Sequence, residues 1–294
     1  MKRPLKSSRP WGISTPEFPR RGDRTSPLAA VLIGLILAAT ACAGNGGDRS
    51  PETPVRVVDR WGTDREYRVF LPDHPTDAPL LVYFHGVVSE EFKEVETLRG
   101  YTGSPVEETG LIPFCRSRGI VLLAPRPAYT YRFLGKTARG WLPYEREMDG
   151  IERIISAVIQ EFHLDPGRVY LAGISAGAGI CHHLANRQPD RYRAILSHSQ
   201  GYLGDGDRLL SPCLPGPRFG VLFCYNRGDY DNLVAICEAS EKRYRERGYR
   251  TVLLRDLPPE DHRWSGGSNP RFWRILEHLG RASPQSTQRS GSQP

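Results

Sequence analysis

Between residues 55 and 280 the chain alternates short apolar runs with longer segments of helical period. The apolar or alternating runs predict strands at residues 55–58, 66–71, 80–84, 120–124, 169–172, 194–196, 221–225 and 251–254. Segments with helical spacing predict helices at residues 107–118, 150–162, 178–187, 233–247 and 270–279. This alternation predicts an α/β fold whose mostly parallel central sheet carries helices on both faces, a three-layer sandwich.

The run VYLAGISAGAG at residues 169–179 joins a predicted strand to a predicted helix through a Gly-x-Ser-x-Gly turn. This is the setting of a nucleophile elbow, in which a sharp turn exposes the serine hydroxyl. Gly173 and Gly177 suit it because a side chain at either position would crowd the approaching backbones. The pattern therefore predicts Ser175 as a catalytic nucleophile.

A serine nucleophile needs a base to accept its proton and a carboxylate to orient that base. In hydrolases with such an elbow, the acid and then the histidine follow the serine along the chain. Three histidines lie beyond the helix that follows Ser175: His198, His262 and His278. His262 is predicted as the base because it lies after the last predicted strand and before the last predicted helix.

The candidate acid lies in the loop after the strand at residues 221–225. Asp229 and Asp231 both occupy that loop, where a strand end would present a carboxylate. The residues alone do not separate the two, and a solvated turn is the alternative interpretation of the loop.

An oxyanion hole needs two backbone N–H groups that point at the developing charge. Ala176, directly after the nucleophile, is predicted to supply one of them. The second is expected from the loop after the strand at residues 80–84, with Val87 as first choice and Gly86 as second. His85 is expected to orient this loop.

These motifs resemble those of α/β-hydrolases of the polyhydroxybutyrate-depolymerase and feruloyl-esterase-like kind, which are often secreted bacterial esterases. The likeness covers most of residues 65–280 and is carried by YRVFLP at 67–72, LVYFHG at 81–86, DPGRVY at 165–170 and AGISAG at 172–177. The resemblance implies the α/β-hydrolase fold and ester hydrolysis without a cofactor. It also implies that Asp231 is the acid, because residues 227–234 fit the family's spacing around that position. Arg227 and Asp261 depart from the family pattern, which bears on specificity.

Residues 1–41 have the pattern of an export signal. A basic segment precedes the apolar run at residues 28–39, and small residues follow it directly before Cys42. This run is shorter than the roughly 20 residues that span a membrane. The small residues before Cys42 resemble a bacterial lipobox. We therefore expect lipidation of Cys42 and a membrane-anchored lipoprotein of the cell envelope, with ordinary secretion as the alternative.

The composition of residues 42–294 indicates a tether, one catalytic domain and a tail. Residues 42–54, which hold mostly Gly, Asp, Ser and Pro, predict a flexible tether, and residues 281–294 predict a disordered tail. One catalytic domain then occupies residues 55–280. The two ends account for the whole formal charge of +7, since residues 1–41 carry +5 and residues 281–294 carry +2. The domain itself thus lacks the basic excess that nucleic-acid binding requires.

The sequence therefore predicts an exported serine esterase with Ser175 as nucleophile, His262 as base and Asp231 as acid. Its substrate is expected to be a small or polymeric ester, such as a polyhydroxyalkanoate oligomer or a feruloyl or acetyl ester. No metal or cofactor is implied, nucleic acid is not expected as a partner, and the only membrane contact is the lipid anchor. Trp141, Tyr144 and Trp264 are candidates to line a pocket, and residues 129–146 to cover it. The alternatives are a binding lipoprotein that keeps the fold without turnover, and a serine peptidase.

Overall fold

The computed structural model describes residues 53–58, 64–88, 102–133, 135–203, 218–258 and 261–281. The strands are β1 (Thr53–Val58), β2 (Asp64–Phe70), β3 (Leu80–Phe84), β4 (Val121–Pro125), β5 (Thr130–Phe133), β6 (Lys136–Arg139), β7 (Val169–Ile174), β8 (Ala194–His198), β9 (Gly220–Asn226) and β10 (Thr251–Leu257). The helices are α1 (Leu111–Ser117), α2 (Glu145–Glu161), α3 (Ala176–Arg187), α4 (Asp231–Glu246) and α5 (Asn269–Arg281).

Eight strands form one sheet in the order β1-β2-β4-β3-β7-β8-β9-β10. β1 and β2 are antiparallel to each other, and β2 is antiparallel to β4. From β4 to β10 every neighbouring pair is parallel. The parallel strands therefore all end at the same edge of the sheet, where loops can bring distant residues together. The mostly parallel sheet of the sequence-based prediction is confirmed.

Side-chain alternation along the strands builds a core on each face of the sheet. In β3, Leu80, Val82 and Phe84 point to one core, while Leu81 and Tyr83 point to the other. The first core is closed by apolar residues of α2, α3 and α4, and the second by residues of α1 and α5. Because both faces are covered, the central strands are apolar at nearly every position.

The segment expected to cover the site contains a feature that the apolar pattern missed. β5 and β6 form an antiparallel hairpin, and Val88 pairs with Arg139 of this hairpin in an isolated bridge. Its strands are short and mostly polar, so they lack the apolar run that marks the central strands.

The boundaries of the domain differ slightly from the expected ones. β1 begins two residues inside the predicted tether, and α5 includes the first residue of the predicted tail. The predicted export signal at residues 1–41, Cys42 and residues 282–294 lie outside the described residues. Within the described ranges, no helix has the length and apolar character needed to cross a membrane. Burial raises the thiol pKa of the free cysteines Cys115, Cys181, Cys224 and Cys237.

Candidate active site

The parallel sheet brings the predicted site residues to one edge. Ser175 follows β7, His262 lies beyond the end of β10, and the loop holding both candidate aspartates follows β9. The loop predicted to supply an oxyanion donor follows β3, whose last residue pairs with Gly173 of β7. Residues separated by up to 175 positions in the chain, from Val87 to His262, thus lie at one edge of the sheet because their strands fall within the run β3-β7-β8-β9-β10.

Ser175 has the backbone of a nucleophile elbow. Its φ of 55° and ψ of −125° lie outside the regions that residues with a side chain ordinarily occupy. Such a conformation costs about 1–3 kcal/mol and persists only where its surroundings impose it. Here the Ser175 N–H donates to the His198 carbonyl at 2.9 Å, and the Ser175 carbonyl accepts from the Gly179 N–H at 3.1 Å. The side chain is half-buried.

The two glycines of the motif allow the close approach that the elbow needs. A Cβ on Gly173 would collide with the backbone of Gly177, and a Cβ on Gly177 would collide with the Phe84 carbonyl at the end of β3. By contrast, a Cβ on Gly179 would meet nothing within 4 Å. The first two glycines are therefore required for steric reasons, whereas the third is not.

His262 is paired with Asp229, and this corrects the expected acid. The Nδ1–H of His262 donates to Oδ1 of Asp229 at 2.8 Å, and both side chains are buried. Asp231 is instead the first residue of α4, with an exposed side chain in the first helical turn. The assignment of Asp231 is wrong because α4 begins there, whereas Asp229 lies in the preceding turn and is directed inward.

Asp229 is held as a carboxylate by several donors. Its Oδ1 also accepts the Tyr230 N–H at 2.8 Å, and its Oδ2 accepts the hydroxyl of Ser199. Burial acts to raise the pKa of Asp229, but the hydrogen bonds from His262, Ser199 and Tyr230 outweigh it and lower that pKa. The carboxylate therefore stays charged beside the imidazole, which fixes the Nδ1–H tautomer of His262.

The loop that carries His262 is anchored on both sides. The side-chain amide of Asn226, at the end of β9, donates to the carbonyls of Asp261 and Arg263, each at 2.8 Å. The Trp264 N–H donates to Oγ of Ser104 at 3.0 Å. Because the bonds from Asn226 bracket His262, they limit the movement of its imidazole away from Asp229.

Of the two N–H groups predicted as donors in the loop after β3, only that of Val87 is available. The Gly86 N–H donates to the Gly103 carbonyl at 2.7 Å, so the second-choice donor is already engaged. The Val88 N–H donates to the Arg139 carbonyl at 2.9 Å. Within the described ranges, the N–H groups of Val87 and Ala176 have no hydrogen-bond partner. The geometry therefore leaves the two donors that the sequence ranks first.

Trp141 supports this loop from below. Its indole N–H donates to the His85 carbonyl at 2.8 Å, and its ring packs edge-on against Phe84. The Nδ1–H of His85 donates to the Gly86 carbonyl, and removal from solvent lowers the pKa of His85 to about 4. His85 is thus neutral, and its side-chain hydrogen bond lies within the loop that it is predicted to orient. Trp141 is buried and has a supporting position.

The other two aromatic candidates differ from each other. Trp264 is buried and stacks on His198, with ring centroids 5.4 Å apart, so it packs inside the domain. Tyr144 is 42% exposed and directly precedes α2.

Apolar side chains border the site. Val87 and Ala138 are buried together, and Tyr131, Ala176 and Tyr230 pack against them. The β5–β6 hairpin contributes to this border, in the segment predicted to cover the site. The rings of Tyr230 and His262 lie 5.3 Å apart, which joins the border to the imidazole.

Sequence reasoning missed two polar residues that support the site, Asn226 and Ser199. Both lie at or just beyond the ends of apolar strands, on the edge where the parallel strands end. A polar residue at that position is the signal that could have identified them. The described residues contain no group of three His, Cys, Asp or Glu side chains suited to hold a metal ion.

The comparisons with known proteins agree with this geometry. The family model described as Esterase PHB depolymerase matches residues 144–218, a span that contains the elbow. Three similar solved structures are a thermostable esterase (17% identity, TM-score 0.51, 78% of this chain and 63% of that chain), an arylesterase (15%, 0.55, 81% and 87%) and the Bacillus cereus carboxylesterase (13%, 0.52, 73% and 94%). This chain thus spans less than two thirds of the thermostable esterase. Identities this low show a shared fold, and no curated protein matches the chain.

Proposed function

We propose that this chain, which shares the fold of the α/β-hydrolase esterases and matches an esterase family model over residues 144–218, hydrolyses carboxylic esters through an acyl-enzyme on Ser175. The observation that carries the proposal is the strained serine at the elbow, on the same sheet edge as a buried His262–Asp229 pair. A serine without a base is a weak nucleophile, and an imidazole oriented by a carboxylate is the group that activates it.

In the proposed mechanism His262 accepts the proton of Ser175 through Nε2 as the hydroxyl attacks the ester carbonyl. The imidazolium that forms is stabilised by the charge of Asp229. The developing oxyanion receives the N–H groups of Ala176 and Val87. His262 then protonates the leaving alcohol. In the second half of the reaction His262 accepts a proton from water as the water attacks the acyl-enzyme, and it returns that proton to Ser175 as the acid product leaves.

We expect compact acyl groups to react fastest. Val87, Ala138 and Tyr131 form an apolar border beside the proposed oxyanion donors, and the bridge between Val88 and Arg139 ties the hairpin to that loop. A border held in this way favours acetyl or butyryl groups over long chains. Polyhydroxyalkanoate oligomers and feruloyl esters are the natural classes to compare with them.

Initial rates and the pre-steady-state burst with p-nitrophenyl acetate test the proposal. Wild-type protein is expected to release a stoichiometric burst of p-nitrophenol and then turn over, while Ser175→Ala does neither. Ser117→Ala, at an exposed serine that ends α1, is the matched control and keeps the full burst.

Two outcomes would replace the proposal by its alternatives. Faster cleavage of peptide p-nitroanilides than of esters would identify a serine peptidase. Absence of turnover with every ester from acetyl to octanoyl, and with a feruloyl ester, would favour a binding protein that keeps the fold without catalysis.

We further propose export and anchoring through Cys42, on the basis of the sequence of residues 1–42 alone. In a bacterial host, metabolic labelling with an alkyne-tagged fatty acid is expected to tag the wild-type protein and not Cys42→Ser. An untagged wild-type protein recovered from the medium would support ordinary secretion.

A further inference from the structure

Two buried polar residues at the end of β8, the strand beside β7, have no role in the mechanism above. His198 ends β8 and Ser199 follows it, and neither side chain has measurable exposure. Ser199 contacts Oδ2 of Asp229, the oxygen that does not accept from His262. Their polar atoms form a continuous chain with that carboxylate.

The directions of these hydrogen bonds follow from the chemistry of the groups. A charged carboxylate only accepts, so the hydroxyl of Ser199 donates to Oδ2 of Asp229. The Ser199 oxygen then accepts from His198, whose Nδ1 lies 2.7 Å away and carries the proton. The chain therefore runs from the His198 Nδ1–H through the Ser199 hydroxyl to Asp229.

We propose that Ser199 and His198 are positioning residues that fix the Asp229 carboxylate for its work on His262, an inference that rests on the proposed function. A carboxylate rotates about its Cβ–Cγ bond unless both oxygens are held. Oδ1 receives His262 and the Tyr230 N–H, and Oδ2 receives Ser199. With the Ser199 bond both carboxylate oxygens are held, so the carboxylate keeps the orientation in which Oδ1 faces His262.

The backbone of Ser199 is built for this contact. Its φ is 57°, a left-handed value that a residue with a side chain seldom adopts. Its N–H donates to the Cys224 carbonyl of the neighbouring strand at 2.8 Å, which holds the strained conformation. The strain turns the hydroxyl towards the loop after β9, where Asp229 lies.

His198 acts as a dipole and not as a charge. Burial lowers the pKa of His198 to about 3, although the charge of Asp229 opposes that shift. A neutral His198 leaves Asp229 with one cationic partner when His262 takes up a proton. The Nε2 of His198 has no hydrogen-bond partner in the described part of the chain. An unpaired buried acceptor is unfavourable for stability, so packing alone does not account for an imidazole at this place.

The other titratable groups that interact electrostatically with Asp229 are Tyr230, Cys224 and Cys237. Burial is the largest cause of the raised pKa of each, so all three remain neutral at and below neutral pH. The exposed carboxylate of Asp261 also contributes to the raised pKa of Tyr230. None of these three groups therefore contributes to the acidic limb of the rate profile.

The test measures kcat, KM and their pH dependence for ester hydrolysis by the full chain and its variants. Ser199→Ala is expected to lower kcat about tenfold with little change in KM, since it removes one hydrogen bond to a charged group. The acidic limb of kcat/KM moves up by about half a pH unit, because the carboxylate without its donor attracts the imidazolium more strongly. Ser199→Gly gives the same kinetics while relaxing the left-handed backbone, which keeps the test open where the alanine variant is unstable.

Variants of His198 distinguish the effect of its Nδ1–H donor from the effect of its ring packing. His198→Asn keeps a side-chain N–H near the position of Nδ1 and is expected to retain most of the activity. His198→Phe keeps the ring against Trp264 but loses the donor, and its kcat falls together with that of the Ser199 variants. Ser197→Ala is the packing control, because Ser197 is an equally buried serine whose hydroxyl bonds His182 and the Gln200 carbonyl rather than Asp229.

Labelling of Ser175 by a fluorophosphonate, measured in the same samples, distinguishes failure of the proposed function from failure of this inference alone. A wild-type protein that is not labelled overturns the proposed function and this inference with it. A labelled wild type whose Ser199 variants keep its kcat and pH profile overturns the inference alone. The inference is also overturned if Ser197→Ala loses as much kcat as the Ser199 variants and the pH profile of the Ser199 variants is unchanged, since such a loss comes from packing.

Discussion

The choice between two aspartates, two positions apart, gives the sharpest mutational test of the site. In Asp229→Asn the carboxamide has one acceptor oxygen and one donor group to replace two acceptor oxygens. Two donors, the His262 Nδ1–H and the Tyr230 N–H, converge on the Oδ1 position. We therefore expect the amide oxygen to occupy that position and the NH2 group to face Ser199. The tautomer of His262 is then preserved, and what is lost is the negative charge.

The magnitude follows from that charge. A hydrogen bond to a charged group contributes about 1.5–3 kcal/mol, compared with about 1 kcal/mol for a neutral one. The imidazolium forms only as the reaction proceeds, so the loss falls on kcat and leaves KM nearly unchanged. We expect kcat of Asp229→Asn to fall about tenfold, since a difference of about 0.5–2 kcal/mol corresponds to a change in rate of about 2- to 30-fold. An amide flipped the other way would impose the wrong tautomer and cost about 10⁴-fold.

Steady-state hydrolysis of p-nitrophenyl acetate measures this effect, with Asp231→Asn as the matched control. Asp231 is exposed in the first turn of α4, where a lost charge costs about 0.3–1 kcal/mol of stability through the helix dipole. Its kcat is expected to stay within about twofold of wild type. A loss of about tenfold in Asp231→Asn, with Asp229→Asn close to wild type, would refute the reasoning.

Three further predictions concern the scaffold. Gly177→Ala is expected to lose about 3 kcal/mol or more of stability, because its Cβ meets a backbone carbonyl, whereas Gly179→Ala, which has open space, unfolds at or above the wild-type urea midpoint. Burial lowers the pKa of His182 to about 3, so the unfolded chain takes up the proton first. Stability is therefore lost as pH falls from about 6.5 towards 3, by about 1.4 kcal/mol per pH unit. Urea titrations at several pH values should show a weaker pH dependence of stability in His182→Phe than in the wild type. Trp141→Phe keeps the ring but removes the N–H under the oxyanion loop, and kcat for p-nitrophenyl acetate should fall about fivefold with KM unchanged.

The elbow and the sheet could be predicted from sequence because each requires a pattern of neighbouring residues. Gly173 and Gly177 are demanded by backbone contacts that no other residue permits. The central strands are apolar at nearly every position because both faces are buried. His262 could be identified because few histidines follow the elbow and only one lies in the loop between the last strand and the last helix.

The acid and the supporting residues could not be derived in the same way. Asp229 and Asp231 share a loop, and what separates them is the residue at which α4 begins, which depends on packing of the helix against the sheet. Ser199 is one polar residue after a strand, and its partner lies thirty positions away in the chain. The β5–β6 hairpin is short and mostly polar, so its pairing leaves little periodicity to detect.

The central claim is that Ser175 is a nucleophile activated by His262 and Asp229. The most direct measurement is peptide mapping by mass spectrometry after reaction with a fluorophosphonate. The account predicts one phosphonyl group per chain, located on Ser175, with no labelling of Ser175→Ala and much slower labelling of Asp229→Asn. Labelling of another serine, or equal labelling of wild type and Ser175→Ala, would contradict it.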